Sequence, residues 1–253
     1  MGCLPGAFRR PRQHARQKAC ATTTPEALWA KWLRRRGVPV RHRTDPDCDA
    51  TARHRRKEDP LRKLTYFVAC SIDGFIGDPN GDASSMMQFV NEEFLEFLKT
   101  EYPETVSAEG RRVLDFHDVA NQKFDTVIQG RGSYQVGLDA GVTSPYGHLR
   151  EYVASRGLGE SPDQRAPDHR GPGRRRPRLK AEEGGLGIWL CGGSRVAGEL
   201  LDEVDELVIK TYPQVYGSGM PMFGTDFTVA DFTLDWVRTF DNGVLVRKYV
   251  RKR

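Results

Sequence analysis

No serine occurs before Ser71, and residues 1–60 also contain no isoleucine, asparagine or tyrosine. Arg, Pro, Ala, His and Thr crowd that stretch instead, as in RRPRQHARQKACATTTP and RHRTDPDCDATARHRRKEDP. Such a composition buries too little apolar surface to offset the entropy of ordering the chain, so a basic, disordered tail is expected over 1–60. The missing serines also separate this Arg-rich start from a mitochondrial transit peptide. No apolar segment follows Arg9, Arg10, Arg12 and Arg16, as a secretory leader would require. There is no run of about 18 apolar residues and mean hydropathy is −0.59, so no transmembrane helix and a cytoplasmic location are expected. The five cysteines (Cys3, Cys20, Cys48, Cys70 and Cys191) form no CxxC pair and no Cys/His spacing that suits zinc. A metal centre and a disulfide scaffold are therefore not expected.

What charge there is lies unevenly. The 253 residues carry a net +5, yet residues 1–60 hold 15 Lys and Arg against 6 Asp and Glu, and residues 163–178 hold 6 Arg against 2 Asp. The rest of the chain is acidic, so the overall basicity does not mark a basic surface stripe, and neither a nucleic-acid nor a membrane partner is expected. The second basic segment, QRAPDHRGPGRRRPR at 164–178, interrupts ordinary sequence and reads as an exposed loop of a length uncommon inside a compact domain. Composition alone leaves other readings open. The tail could be an arm for nucleic acid, and both segments could be GC-rich coding sequence read in a shifted frame rather than native protein. The folded domain is expected over 61–253.

After Pro60 the texture changes. KLTYFVACS (63–71), FDTVIQG (124–130), LREYVAS (149–155), GIWLC (187–191), VDELVIKTY (204–212), 228–240 and 244–251 read as strands. FVNEEFLEFLKT (89–100) places Phe89, Phe94 and Phe97 on one helical face and reads as a core-facing helix; SRVAGELL (194–201) reads as a second. Strands alternating with helices predict an α/β sheet, and the last two strands, joined through Asp241-Asn242-Gly243, predict an antiparallel hairpin at one edge.

Two of these strands run into glycine-bearing helix starts. At Gly130-Arg131-Gly132-Ser133-Tyr134, glycine lets a ligand approach the backbone, the helix start offers unpaired N–H groups, and Arg131 and Ser133 add a guanidinium and a hydroxyl. Alone, this is more often an ordinary strand-to-helix turn. Gly192-Gly193-Ser194-Arg195 repeats the arrangement without the GxGxxG spacing of a Rossmann site. Two such corners in one sheet point to a nucleotide's phosphates. Asp73, in Ser71-Ile72-Asp73-Gly74, is a candidate for positioning substrate or relaying a proton, although Asp-Gly is also a plain turn signature. GSGMPMF (217–223) either shapes a ligand cleft or only crosses the sheet.

In order, TYFVACSIDGFIG, FDTVIQGRGSY, YVASR, IWLCGGSRVAGELL and DELVIKTYPQVYGSGMPMF resemble the dihydrofolate reductase-like family, specifically the branch related to the reductase domain of bifunctional riboflavin-biosynthesis proteins. The resemblance covers about residues 62–253 and is broken at 164–178, where the family supplies a further strand. It implies a three-layer α/β fold, with a central, mostly parallel sheet, an antiparallel C-terminal hairpin and helices on both faces. It implies an NADPH-dependent reductase acting on a small C=N or C=O heterocycle, as in 5-amino-6-(5-phosphoribosylamino)uracil reductase activity, with a homodimer compatible. By the resemblance Gly130, Arg131, Ser133, Gly192, Gly193, Ser194 and Arg195 face the NADPH phosphates, and Ser155 and Arg156 the adenosine 2′-phosphate. Ala69 and Ile76 pack on the nicotinamide, Asp73 is the catalytic candidate, and DPNGD (78–82) is a flexible loop over the site. One departure stands out: no acidic residue occupies the place of the substrate-protonating carboxylate of true dihydrofolate reductases, since Glu92 and Glu93 look solvent-facing. That argues against folate as substrate. The alternatives are a non-catalytic nucleotide-binding or nucleic-acid-associated protein that keeps the fold, or the inactive product of a frameshifted gene.

Overall fold

The computed structural model describes residues 61–139, 141–155, 168–170, 179–182 and 185–253. The basic tail, Arg156 and most of segment 164–178 lie outside the described residues. The strands are β1 (Leu64–Cys70), β2 (Phe75–Gly77), β3 (Phe124–Gly130), β4 (Arg150–Ser155), β5 (Asp168–Arg170), β6 (Gly187–Gly192), β7 (Glu206–Thr211), β8 (Met220–Pro221), β9 (Phe232–Thr239) and β10 (Leu245–Arg251). The helices are α1 (Glu92–Glu101), α2 (Ala108–Val113), α3 (Arg131–Asp139) and α4 (Ser194–Glu199).

Aromatic and β-branched residues make β1 a strand, and burial on both faces puts it in the middle of an eight-stranded sheet of order β5-β4-β3-β6-β1-β7-β10-β9. Every pairing from β5 to β7 is parallel, and β10 runs antiparallel to both β7 and β9. The predicted mostly parallel sheet with its C-terminal hairpin is thus observed. Side-chain alternation then creates two cores. Tyr66, Val68, Ile128 and Leu190 face α4, from which Val196 and Ala197, with Leu200 just past the helix end, pack against them. Phe67, Val127, Trp189 and Val208 face the other way, onto Phe94 and Phe97 of α1.

Three expectations change at the level of elements. The helix predicted from Phe89 begins at Glu92, because the Asn91 side chain accepts the Phe94 N–H at 3.0 Å and caps it; Phe89 ends a separate 3-10 turn, Ser84–Phe89, and still packs on the core. Helix α2 was not expected, as AEGRRV has no apolar stripe, but Ser107 caps it at the Gly110 amide (3.1 Å). Within the Arg/Pro/Gly segment, Asp168–Arg170 pairs with β4 as a short edge strand, so the segment is not a loop throughout. The chain there supplies the strand that the resemblance calls for. No helix among the described residues is long and apolar enough to cross a membrane.

Candidate functional site

Because β3 and β6 are sheet neighbours, the two glycine corners that follow them meet at the carboxyl edge. The meeting is close. A Cβ on Gly130 would lie 3.1 Å from the Gly193 nitrogen and 3.1 Å from Val196 Cγ2, tighter than ordinary van der Waals contact, so a side chain there would press the facing corner back by a few tenths of an ångström. Gly192 has φ of +127°, a conformation that L side chains rarely adopt, and the Gly192–Gly193 peptide is cis. Ser133, on the first turn of α3, brings its hydroxyl to 4.0 Å and 3.9 Å of where Cβ atoms would stand on Gly192 and Gly193. Gly193 is the N-cap of α4 and makes no side-chain cap. The first N–H groups of α4 therefore have no intrahelical or side-chain acceptor among the described residues.

The expected residues are brought together unequally. Gly130, Ser133, Gly192 and Gly193 converge, with Arg131 and Arg195 exposed at the starts of α3 and α4. Ser194 differs: it is buried, its hydroxyl has no hydrogen-bond partner among the described residues, and it lies against Gly224, whose N–H donates to the Ser194 carbonyl at 2.9 Å. Ser155 ends β4, one residue past the Ala154 that pairs with Gly130, on the same sheet edge. Ala69 and Ile76 part company, Ala69 packing with the α1-side core and Ile76 with the α4-side core.

Asp73 is tightly engaged. It accepts hydrogen bonds from the Ser71 hydroxyl (2.6 Å), the Tyr216 amide (3.1 Å) and the Gly217 amide (2.7 Å). The Ser71 bond, followed by those two amides, lowers its carboxyl to about 2. The β1–β2 turn and GSGMPMF are further joined where β8 pairs with β2, where Met222 N–H donates to the Gly74 carbonyl, and where the Tyr66 hydroxyl donates to the Met222 carbonyl at 3.0 Å. GSGMPMF therefore does more than cross the sheet: its Met220 sulfur comes within 3.6 Å of where a Gly193 Cβ would stand. DPNGD is drawn together by Asp78, which accepts from the Asn80 (2.7 Å) and Asp82 (2.9 Å) amides.

Several residues of this edge went unmarked in the sequence. On the α1 side, Gln129 of β3 is buried and donates to Glu151 of β4 at 3.0 Å; Glu151 also accepts from the Ser144 hydroxyl and the Tyr146 amide, and burial raises its carboxyl. Cys191 and Lys210 stand on the same face. Burial raises the Cys191 thiol to about 11 and lowers the Lys210 ammonium to about 8. The available signal for Lys210 was a cation following the apolar run LVI in the strand ELVIKT.

No family model matches the chain. The uncharacterized protein YwjB of Bacillus subtilis (strain 168) is 28% identical over 192 residues, spanning 75% of this chain and 98% of YwjB. A putative riboflavin biosynthesis protein from Shewanella sp. PV-4 superposes with a TM-score of 0.54 at 18% identity, over 76% of this chain and 100% of that one. The chain has the dihydrofolate reductase-like fold. A dihydrofolate reductase from Enterococcus faecalis, solved with NADP(H), aligns at a TM-score of 0.49 and 16% identity over 76% of this chain and 97% of its own. In this dihydrofolate reductase-like fold the paired corners, the Asp73 turn and the Gln129–Lys210 face all lie at the carboxyl ends of the parallel strands, where open α/β sheets hold their ligands.

Proposed function

We propose that the protein is an NADPH-dependent reductase of a small C=N- or C=O-bearing heterocycle. The observation that carries this is the meeting of the β3–α3 and β6–α4 corners, so close that a Cβ on Gly130 would stand 3.1 Å from the Gly193 nitrogen. Such a cradle suits a pyrophosphate: backbone amides can approach it, the start of α3 adds a positive dipole end, and Ser133 adds a hydroxyl. Arg131 and Arg195, both exposed at this edge, supply charge for the cofactor's phosphates. When bound, the cofactor supplies the hydride; the protein's part is orientation and electrostatics. Ala69 and Cys191 form the floor beside the corners. Asp73 in this reading acts through the segment it holds, because a carboxyl held near 2 carries no proton to donate at neutral pH. Glu92 and Glu93 are exposed, and the Glu93 carboxylate accepts the Asp241 amide, so neither takes the role of a folate-protonating acid.

Titration of the full chain with NADPH, followed by cofactor fluorescence, tests the reading. Saturable binding at about tens of micromolar or tighter is expected, with NADH weaker. An absence of saturable NADPH binding would sink it. Arg131→Ala should weaken NADPH by about 1.5–3 kcal/mol, the worth of a hydrogen bond to a charged group; an unchanged affinity would remove Arg131 from the site.

A further inference from the structure

Along the α1-side face, three adjacent strands change in the same way at their carboxyl ends. In β6, β1 and β7 the residues leading up to the end on this face, Trp189, Phe67 and Val208, are buried, whereas Cys191, Ala69 and Lys210 are half-exposed. Lys210 pairs in register with Ala69, and its Nζ lies 4.3 Å from the centre of the Phe67 ring. These three residues lie side by side as a small, partly buried floor, apolar except for one cation.

That cation has no carboxylate partner among the described residues. The nearby acids are committed elsewhere: Glu151 to Gln129, Ser144 and Tyr146, and Asp73 to Ser71, Tyr216 and Gly217. The groups that act on Lys210 electrostatically are the thiols of Cys191 on β6 and Cys70 on β1, and burial raises both, which keeps them neutral near pH 7. Tyr146, ahead of β4, is likewise raised by burial. On β10 Val246 pairs in register with Lys210, and beyond it Arg238 of β9, a second cation, pairs with Val246; Glu206, on the same face of β7, is already engaged by Lys63 and Lys248. A partly buried ammonium without a counter-charge costs free energy, and in a folded chain such a cost is offset when a ligand brings the missing acceptor.

We propose that Lys210 is a specificity-determining residue of this site, receiving an anionic or carbonyl oxygen of the substrate over the Ala69–Cys191 floor and rejecting cationic rings. The proposal rests on the reductase reading for its substrate but not for its chemistry. Lys210 remains mainly protonated at pH 7 and loses its proton as the pH passes about 8.

Benzoate and benzamidine, planar rings of like shape and opposite charge, serve as probes, titrated by ligand-observed NMR into the full chain with and without NADPH. Benzoate is expected to bind roughly tenfold or more tightly than benzamidine at pH 7, as a charge-assisted contact should provide. Its affinity should fall between pH 7 and pH 9, and the preference should disappear in Lys210→Met but persist in Lys210→Arg. Equal binding of the two probes, binding of neither, a flat profile from pH 7 to 9, or an undiminished preference in folded Lys210→Met overturns the proposal. Should Lys210→Met fail to fold, the wild-type preference and its pH profile decide the matter alone. Failure of the reductase reading is separately visible, as absent NADPH binding by wild type while the cofactor-free probe series still reports on Lys210.

Discussion

A carboxylate that already accepts from one hydroxyl and two amides is a fastener, and Asp73 shows how a residue type leaves its role open. Asp before Gly was legible as a turn, and Ser71 and Gly74 make that turn with it. The amides of Tyr216 and Gly217 that complete the shell come from more than 140 positions away, where no local pattern could announce them. Asp73→Asn keeps the size and removes the charge, so faster hydrogen exchange at the Tyr216 and Gly217 amides is expected, with β1 exchange unchanged. The pH dependence has a definite sign. Since the folded carboxyl lies at about 2 and the ordinary value is 3.8, its contribution is complete above the ordinary value and is lost as pH falls through about 2. Protection of the Gly217 amide should therefore hold from pH 7 to about pH 4 and decline below it; a loss already evident between pH 7 and 5 would contradict this account.

Elements were legible where periodicity and burial agree. The strands of KLTYFVACS, FDTVIQG and GIWLC are apolar runs bounded by turn residues, and they are the buried parallel strands. Their boundaries were less legible, because single side chains set them. The apolar stripe carried the predicted helix back to Phe89, whereas Asn91 stops it: its side-chain oxygen takes the Phe94 amide, and Asn91 also bonds Asp241 and Asn242 in the C-terminal hairpin turn. Asn91→Ala should lower stability by about 1–2 kcal/mol in urea unfolding, and Asn91→Ser should recover much of the capping share. An Ala variant as stable as wild type would show that the cap contributes little.

At the scale of the molecule, the amino edge of the sheet is tied by charge as well as by the apolar packing of Leu64, Leu179 and Val204. Arg62, 5% exposed, pairs with Asp125 of β3 and with Glu182 (2.8 Å), and also donates to the Thr126 hydroxyl (3.0 Å) and the Leu186 carbonyl (2.7 Å). It joins the start of β1 to β3 and to the chain entering β6. Arg62→Met would leave those acceptors without their donor and should destabilise the fold by about 3 kcal/mol, measurable by urea unfolding. A shift below about 0.5 kcal/mol, the range of ordinary surface substitutions, would mean that the cluster is not a structural tie.

Nothing in the residues around Arg62 marked it out, and only its contacts with β3 and the chain entering β6 give it this role. The same contrast runs through the whole protein. Composition and alternation were enough to mark most of the strands and the α/β class of the sheet, because burial of apolar surface follows periods of two and 3.6 residues that are written locally. The two glycine corners were legible for the same reason, as strand ends running into helix starts. That they touch each other, that Ser194 turns toward Gly224, and that Lys210 stands beside Ala69 and Cys191 without a carboxylate partner among the described residues depend on strands β3, β6, β1 and β7 being neighbours in a sheet whose order is not the order of the chain. Hydrogen-bond partners and counter-charges are matters of distance in space, so they exist only once the sheet has formed.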